Sequence, residues 1–350
     1  MSGDASQDAE LGTYRIHDFL TVETNVDLQI PEFHRVSPES ALQEPRLRIE
    51  ETTDRSAVAP DEGAVAFADG TLRLRPDGTG SDAAISVSGL EADRTTIRWT
   101  PAFRRHHDYM SVYEGALTAK LLDRDVAVVH AAGIERDGNG LLLASMGRMG
   151  KTTTTLNVLD AVPSAGFLSD NLLFVDRSGT AYAYPATPVV FPGTKFDRRQ
   201  LGPVERVALW GRRTVARSEL GSALLLHRYG IDLSQSILAE EYAERVVASA
   251  PVSELVLLNG GRAGPSERTH TPASAVPKIA TGTDMELEPG DDALSQYALR
   301  AGVPRIHASS IKRRRHELLV DALDSVPLSE LFRNDIADYA DALVPRLRNL

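Results

Sequence analysis

Over the first hundred residues, apolar and polar positions alternate with period two in a series of short runs. They are Thr13-Tyr14-Arg15-Ile16, Leu20-Thr21-Val22, Arg46-Leu47-Arg48-Ile49, Thr71-Leu72-Arg73-Leu74, Ala84-Ile85-Ser86-Val87 and Thr96-Ile97-Arg98-Trp99, and Ala64-Val65-Ala66-Phe67, apolar throughout, is a further strand-like run. Successive side chains of a strand point to opposite faces, so each alternating run predicts a strand with one buried face. Asp69-Gly70 and Pro76-Asp77-Gly78 are turn sequences between them. Residues 1–10 read as a frayed tail, and residues 11 to about 100 as a mainly antiparallel β region.

The period then changes. Met110, Tyr113, Ala116, Leu117 and Leu121 recur at helical spacing and predict a helix over 109–122. Residues 125–134 read as a strand, 137–140 (Asp-Gly-Asn-Gly) as a tight turn, and Leu141-Leu142-Leu143-Ala144 as a strand buried on both faces. Strand, loop, helix and strand follow one another from 141 to 175. Further along, helices are predicted at 218–227, 237–249, 291–301, 311–323 and 328–343, with a buried strand at 254–258. Residues 260–281, rich in Gly, Pro, Ser, Thr and Ala, read as a surface connector or lid. The expected organisation is a β-rich subdomain over 1–104, an α/β core over 105–260, and a loop followed by a helical tail over 261–350.

Composition narrows the class. A chain of 350 residues with 42% hydrophobic and 25% charged residues folds, and is long enough for more than one domain. No run of about 18 apolar residues occurs, and the N-terminus is acidic and polar, so a cytoplasmic protein without a membrane partner is expected. Absence of cysteine excludes thiolate chemistry and cysteine-ligated metal centres. A net charge of -11 disfavours nucleic acid as a partner. The basic run Lys312-Arg313-Arg314-Arg315 reads as the solvated face of a helix. Lysine occurs only at Lys120, Lys151, Lys195, Lys278 and Lys312, which makes a lysine inside a glycine loop conspicuous.

That lysine closes the run Ser145-Met146-Gly147-Arg148-Met149-Gly150-Lys151-Thr152, which fits G-x-x-x-x-G-K-[ST] except that Ser145 stands at the first glycine. Gly150 permits a tight turn in which successive N–H groups point at phosphate oxygens, and the helix that follows presents its positive end to the same anion. Lys151 can neutralise the β- and γ-phosphates, and Thr152 can offer its hydroxyl to Mg²⁺. Residues 145–153, including Thr153, form the expected nucleotide cradle. Asp170, at the end of the apolar run Phe167-Leu168-Ser169, can hold a metal or accept a proton, or can simply cap a turn. Asn171 can coordinate but cannot act as a base. His130 lies in the apolar run Val128-Val129-His130-Ala131-Ala132, where it is either a satisfied core histidine or part of the site. His106 and His107 are as readily surface residues, and no cluster of His, Asp and Glu has metal-ligand spacing.

The run His130-Ala131-Ala132-Gly133, then Leu141 to Thr152, then Leu168-Ser169-Asp170-Asn171, resembles the C-terminal kinase domain of the HPr kinase/phosphorylase superfamily, in particular its divergent serine-kinase-like branch. The similarity is specific over residues 125–192 and extends faintly to Tyr14-Arg15-Ile16 and Leu28-Gln29-Ile30-Pro31. It implies a P-loop α/β core related to phosphoenolpyruvate carboxykinase, with Lys151 and Thr152 on nucleotide and metal, Asp170 as the acidic metal-binding or proton-accepting residue, and His130 nearby. Asn171 replaces a second aspartate, Ser145 replaces the first glycine, and no R-G-L-G sequence follows the core.

The expected activity is transfer of the γ-phosphoryl group of ATP to a hydroxyl of a protein, peptide or small molecule. It would use ATP and Mg²⁺, with Lys151, Asp170 and His130 catalytic, and Thr152, Asp170 and Asn171 on the metal. Arg198 and Arg199, or Arg212 and Arg213, are candidates to complete the clamp, and a homo-oligomer is compatible with the sequence. The alternatives are a non-catalytic nucleotide sensor and an NTP-hydrolysing or carboxykinase-like enzyme on the same core.

Overall fold

The structure is a computed structural model that describes residues 11–43, 45–76, 82–146, 149–185, 189–190, 231–232, 243–260, 266–287, 292–335 and 337–350. The chain forms two compact units, each discontinuous in sequence: Met1–Val126 with Leu287–Arg315, and Ala127–Glu286 with His316–Leu350. Residues 261–350 thus divide between both units.

The first unit opens with β1 (Gly12–Ile16), β2 (Leu20–Thr24), β3 (Arg46–Glu51), β4 (Val65–Ala68), β5 (Thr71–Leu74), β6 (Ile85–Ser88) and β7 (Arg94–Trp99). They form one sheet in the order β1-β2-β3-β7-β6-β5-β4. Neighbours are antiparallel except that β3 runs parallel to both β2 and β7. The period-two reading therefore gives the strands but not this pairing. A parallel neighbour needs a long connection instead of a hairpin, and the segment between β2 and β3 supplies it. Two helices follow, α1 (Pro101–His106), capped by the Thr100 hydroxyl on the Phe103 N–H, and α2 (Tyr109–Leu122), capped by Asp108 on the Ser111 N–H. Helix α2 is buried on nearly every side, Lys120 included. Burial pushes the Lys120 ammonium down to about 8, although Asp123, Asp93 and Glu91 pull the other way. Its Nζ donates to the carbonyls of Gly89 and Ala92.

The second unit carries β8 (Val126–Val129), β9 (Ala131–Arg136), β10 (Asn139–Ser145), α3 (Lys151–Ala161), β11 (Gly166–Ser169), β12 (Leu173–Asp176), β13 (Thr180–Tyr182), β14 (Val189–Val190), β15 (Ile231–Asp232), β16 (Ser249–Gly260), β17 (Ser266–His270) and α4 (Pro272–Glu286). Helix α5 (Asp292–Ala301) and the first half of α6 (Ala308–Ala322) belong to the first unit, and β18 (Leu328–Arg333) and α7 (Ala337–Asn349) to the second. The main sheet runs β11-β9-β10-β16-β13-β12-β8, with β18 added to β16 and β17 to β18; β14 and β15 pair separately. Strands β10, β16 and β18 are mutually parallel. Leu141, Leu142, Leu143 and Ala144 are all buried, as a parallel strand covered on both faces requires. Leu141 and Leu143 pack with Leu156 and Leu159 of α3, Val256 and Leu258 of β16, and Leu343 and Leu347 of α7. Full burial of each such leucine contributes about 2 kcal/mol.

Several sequence expectations are corrected here. The strand expected over 125–134 is two strands, β8 and β9, because the His130 N–H donates to the Thr283 hydroxyl (3.0 Å). The helix expected over 328–343 is β18 followed by α7. Leu328, Leu331 and Phe332 fit helical spacing, but parallel pairing with β16 holds them extended. Within the expected connector 260–281, residues 266–281 form β17 and most of α4. The Thr281 hydroxyl donates to the carbonyl of Pro277, inside that helix (2.7 Å). Of the helix expected at 237–249, Ala243 is helical and the described residues after it are turn, bridge, bend and strand. There Arg245 donates to the carbonyls of Leu159 (3.2 Å), Val162 (3.0 Å) and Ala165 (2.7 Å), capping the C-terminal end of α3. The basic run at 312–315 is not a uniformly solvated face: Arg315 is buried, and Arg314 donates to the Leu122 carbonyl and Asp123. The helix expected at 218–227, the cradle residues Gly147 and Arg148, and Arg198, Arg199, Arg212 and Arg213 lie outside the described residues.

Candidate functional site

Strand β10 leads to Ser145 and Met146, and the chain returns through Met149 and Gly150 to start α3 at Lys151. Gly150 sits at φ 87°, ψ 21°, a left-handed conformation that costs glycine nothing and would strain other residues. It also has no side chain with which to cap the helix, so the first-turn N–H groups at Lys151, Thr152 and Thr153 remain for other acceptors. Thr153 is itself buried among the core residues of α3, so only its backbone is offered to that face.

Four side chains converge at this helix start. Lys151 is buried, and its Nζ lies 2.7 Å from His130 Nε2. His130 Nδ1 lies 3.3 Å from the Gly282 carbonyl. A carbonyl only accepts, so Nδ1 carries the proton and Nε2 is the acceptor for the Lys151 ammonium. Burial, and then the Lys151 charge, push His130 down to about 4, against the pull of Gly282 and the Asn171 side chain. The imidazole is therefore neutral at pH 7. Burial also lowers Lys151 to about 8, with Glu286 and Asp170 opposing it. Asp170 is buried to the point that its carboxyl is raised to about 6, even though the Thr152 hydroxyl and the Lys151 charge favour the ionised form. Its Oδ1 is buried without a hydrogen-bond partner, as is Oγ of Ser145. A buried oxygen left unpaired costs about 1–3 kcal/mol, so these are sites where a ligand is worth most.

Each of the sequence-predicted residues Lys151, Thr152, Asp170, Asn171 and His130 thus reaches one cluster, and Ser145, Met146 and Met149 border it on the β10 side. Helix α4 supplies what the sequence did not reveal. Gly282 and Thr283 bond His130, and Glu286 Oε2 stands 3.9 Å from His130 Nε2. Glu286 is a second carboxylate within reach of Lys151 and His130, at the end of a helix whose first part, up to residue 281, reads as connector. Gly282 also permits the helix to approach, since a Cβ there would meet the Ser145 carbonyl at 3.0 Å. Gly282→Val is expected to lower thermal stability by about 1–3 kcal/mol through overpacking, measured by chemical denaturation. No loss would mean that α4 is not held against the end of β10. His106 and His107 belong to the first unit, at the end of α1. Among the described residues no group of three or more His, Asp and Glu has the geometry of a metal cage. No described helix is long and apolar enough to cross a membrane.

No family model and no curated protein matches this chain. Among solved structures, the Hpr(Ser) kinase/phosphatase from Coxiella burnetii superposes with a TM-score of 0.29 at 10% identity, over 63% of this chain and 94% of that one. A superposition that loose carries no functional weight. The residues of the site must carry it.

Proposed function

We propose that the chain is an ATP-dependent phosphotransferase that moves the γ-phosphoryl group to a hydroxyl of a protein, peptide or small molecule. The observation that carries this reading is the convergence of Lys151, Thr152, His130 and the unpaired Asp170 oxygen at the start of α3. The Thr152 hydroxyl, the Asp170 carboxylate and the Asn171 carbonyl make an all-oxygen donor set of the kind Mg²⁺ takes beside phosphate. They would hold the metal, which when bound neutralises charge on the phosphate oxygens.

The chain's own groups do the rest. The free N–H groups of the α3 start bind phosphate oxygens, and Lys151 turns from His130 Nε2 to the transferring group. That leaves the neutral His130 ring, with Glu286 beside it, to pack against the acceptor and position it. The hydroxyl proton passes to Asp170, whose raised pKa of about 6 lies nearer to neutrality than that of His130 and suits a group that must accept and then release a proton.

Incubation with γ-labelled ATP, Mg²⁺ and cell extract tests this directly. Label transferred to a peptide, protein or small molecule supports a kinase. Release of phosphate alone points to the NTP-hydrolysing alternative, and binding without turnover to a nucleotide sensor, which the amide at Asn171 favours. Within the kinase reading, His130→Ala is expected to slow turnover about 10- to 100-fold while ATP affinity changes little, as measured by kcat and by calorimetry. A variant that loses only thermal stability would assign His130 to the core.

A further inference from the structure

Strands β11, β10, β16 and β18 all run the same way, since β9 is antiparallel to both β10 and β11 and β16 is parallel to β10 and β18. Their C-terminal ends share one edge, and the lysine loop leaves that edge from β10. Asp170 lies on the β11 side of it. On the other side, over β16 and β18, a cavity of about 370 Å³ opens beside Ser145, Met146 and Met149 and is closed by Asn259, Lys278 and Glu330. Its walls are apolar, with two methionine thioethers, Leu257 and Pro277. Ser145 Oγ, buried and unpartnered, lines it.

The charges of the cavity decide what it can hold. Glu330 is buried, with Lys278 Nζ on both its oxygens at 2.7 Å, Asn259 Nδ2 at 3.0 Å and His270 Nε2 at 3.0 Å. Burial works to raise its pKa, but the bonds from Lys278, Asn259 and His270 hold it below the usual value. An anion entering the cavity would meet this carboxylate, and a cation would meet the ammonium that already neutralises it. The occupant is therefore neutral. Thioether walls suit an aromatic ring, and the volume falls in the usual range for small-ligand sites of about 300–1,000 Å³. One N–H of the Asn259 amide is given to the Glu330 carboxylate, so Oδ1 and the second N–H are what the side chain offers a ligand. An amide that can both accept and donate beside a flat apolar slot can pair with the polar edge of a nucleobase.

We infer that this cavity holds the nucleobase of the nucleotide. The inference rests on the nucleotide reading above, with the phosphates at the start of α3, the transferring end toward Asp170 and the base in the opposite direction over β16. Calorimetry with the full chain and Mg²⁺ separates the two. ATP, GTP and inorganic tripolyphosphate are titrated into the unaltered protein and into Asn259→Leu and Thr281→Trp, the latter filling the cavity from an exposed position on α4. The unaltered protein is expected to bind ATP and GTP at least tenfold more tightly than tripolyphosphate. Both variants should lose tenfold or more in ATP affinity and keep tripolyphosphate affinity within twofold, which also reports that they are folded. Nucleotide affinity no greater than that for tripolyphosphate, or undiminished ATP affinity in both variants, would overturn the base site while leaving the phosphate cradle intact. Failure of the unaltered protein to bind either ATP or tripolyphosphate would overturn the nucleotide reading and the base site with it.

Discussion

Lys151→Met is expected to cost about 100-fold in ATP affinity, because a buried ammonium bonded to phosphate is a charge-assisted interaction worth about 1.5–3 kcal/mol. The same substitution is expected to stabilise the protein in the absence of nucleotide. Lysine ordinarily titrates near 10.5, and burial brings Lys151 to about 8. A depressed lysine pKa means that the folded state disfavours the charge. The stability it contributes is present above pH 10.5 and lost as pH falls through 8, so at pH 7 the full cost is being carried. Methionine fills the same volume without a charge. Thermal melts without nucleotide and calorimetry with ATP and Mg²⁺ measure the two effects. A melting temperature that falls, with affinity unchanged, would make Lys151 a structural residue.

Asp170→Asn is expected to reduce phosphoryl transfer by about 100- to 10,000-fold, since an amide of the same shape cannot take a proton. ATP affinity should stay within a few-fold. The pH dependence of stability should change as well. Asp170 has its pKa raised from 3.8 to about 6, so its contribution is present at low pH and lost as pH rises from about 4 to 6. His130 is lowered from 6.5 to about 4, so its contribution is present above 6.5 and lost as pH falls toward 4. The two slopes oppose each other across one window, and the unaltered protein is expected to vary little there. The variant removes the first and exposes the second, losing about 3 kcal/mol between pH 6.5 and 4. Urea denaturation at a series of pH values measures it; parallel curves for both proteins would place Asp170 outside the low-dielectric site. Asn171→Asp is the companion variant. A second carboxylate beside Asp170 should raise Mg²⁺ affinity if the site lacks charge, and depress turnover if it is built around the amide.

What the sequence made legible was local. Leu141 to Leu159 reads as strand, loop and helix because each step depends on residues a few positions apart: a four-residue apolar run, a glycine that accepts φ 87°, and a lysine at a helix start. The strands of the first unit were readable for the same reason, their period of two. What failed depends on distant partners. Helix α4 contains Pro277 and Gly282, residues that weaken a helix by themselves, and it is packing against β10 that holds it. Without α4, neither Glu286 nor the partners of His130 could be foreseen. Leu328, Leu331 and Phe332 fit a helical stripe equally well, and only β16 alongside them decides for a strand. The cavity beside Met149 combines residues of β10, β16, α4 and β18, and no spacing along the chain announces it.

The parallel trio β10, β16 and β18 sets an order of events during synthesis. Strand β10 is complete at Ser145, yet its parallel neighbour extends to Gly260 and the next strand to Arg333. Closing such long loops is slow and precedes any reward from pairing. A ribosome pausing between residues 145 and 249 would therefore expose Leu141 to Ala144 with one parallel edge open, the state most prone to pair with another chain. The final helix, carrying Leu343 and Leu347 onto the same core, must also arrive before α3 is covered. Truncations that stop before α7 are accordingly expected to aggregate, and the site forms only once the chain has emerged through α7.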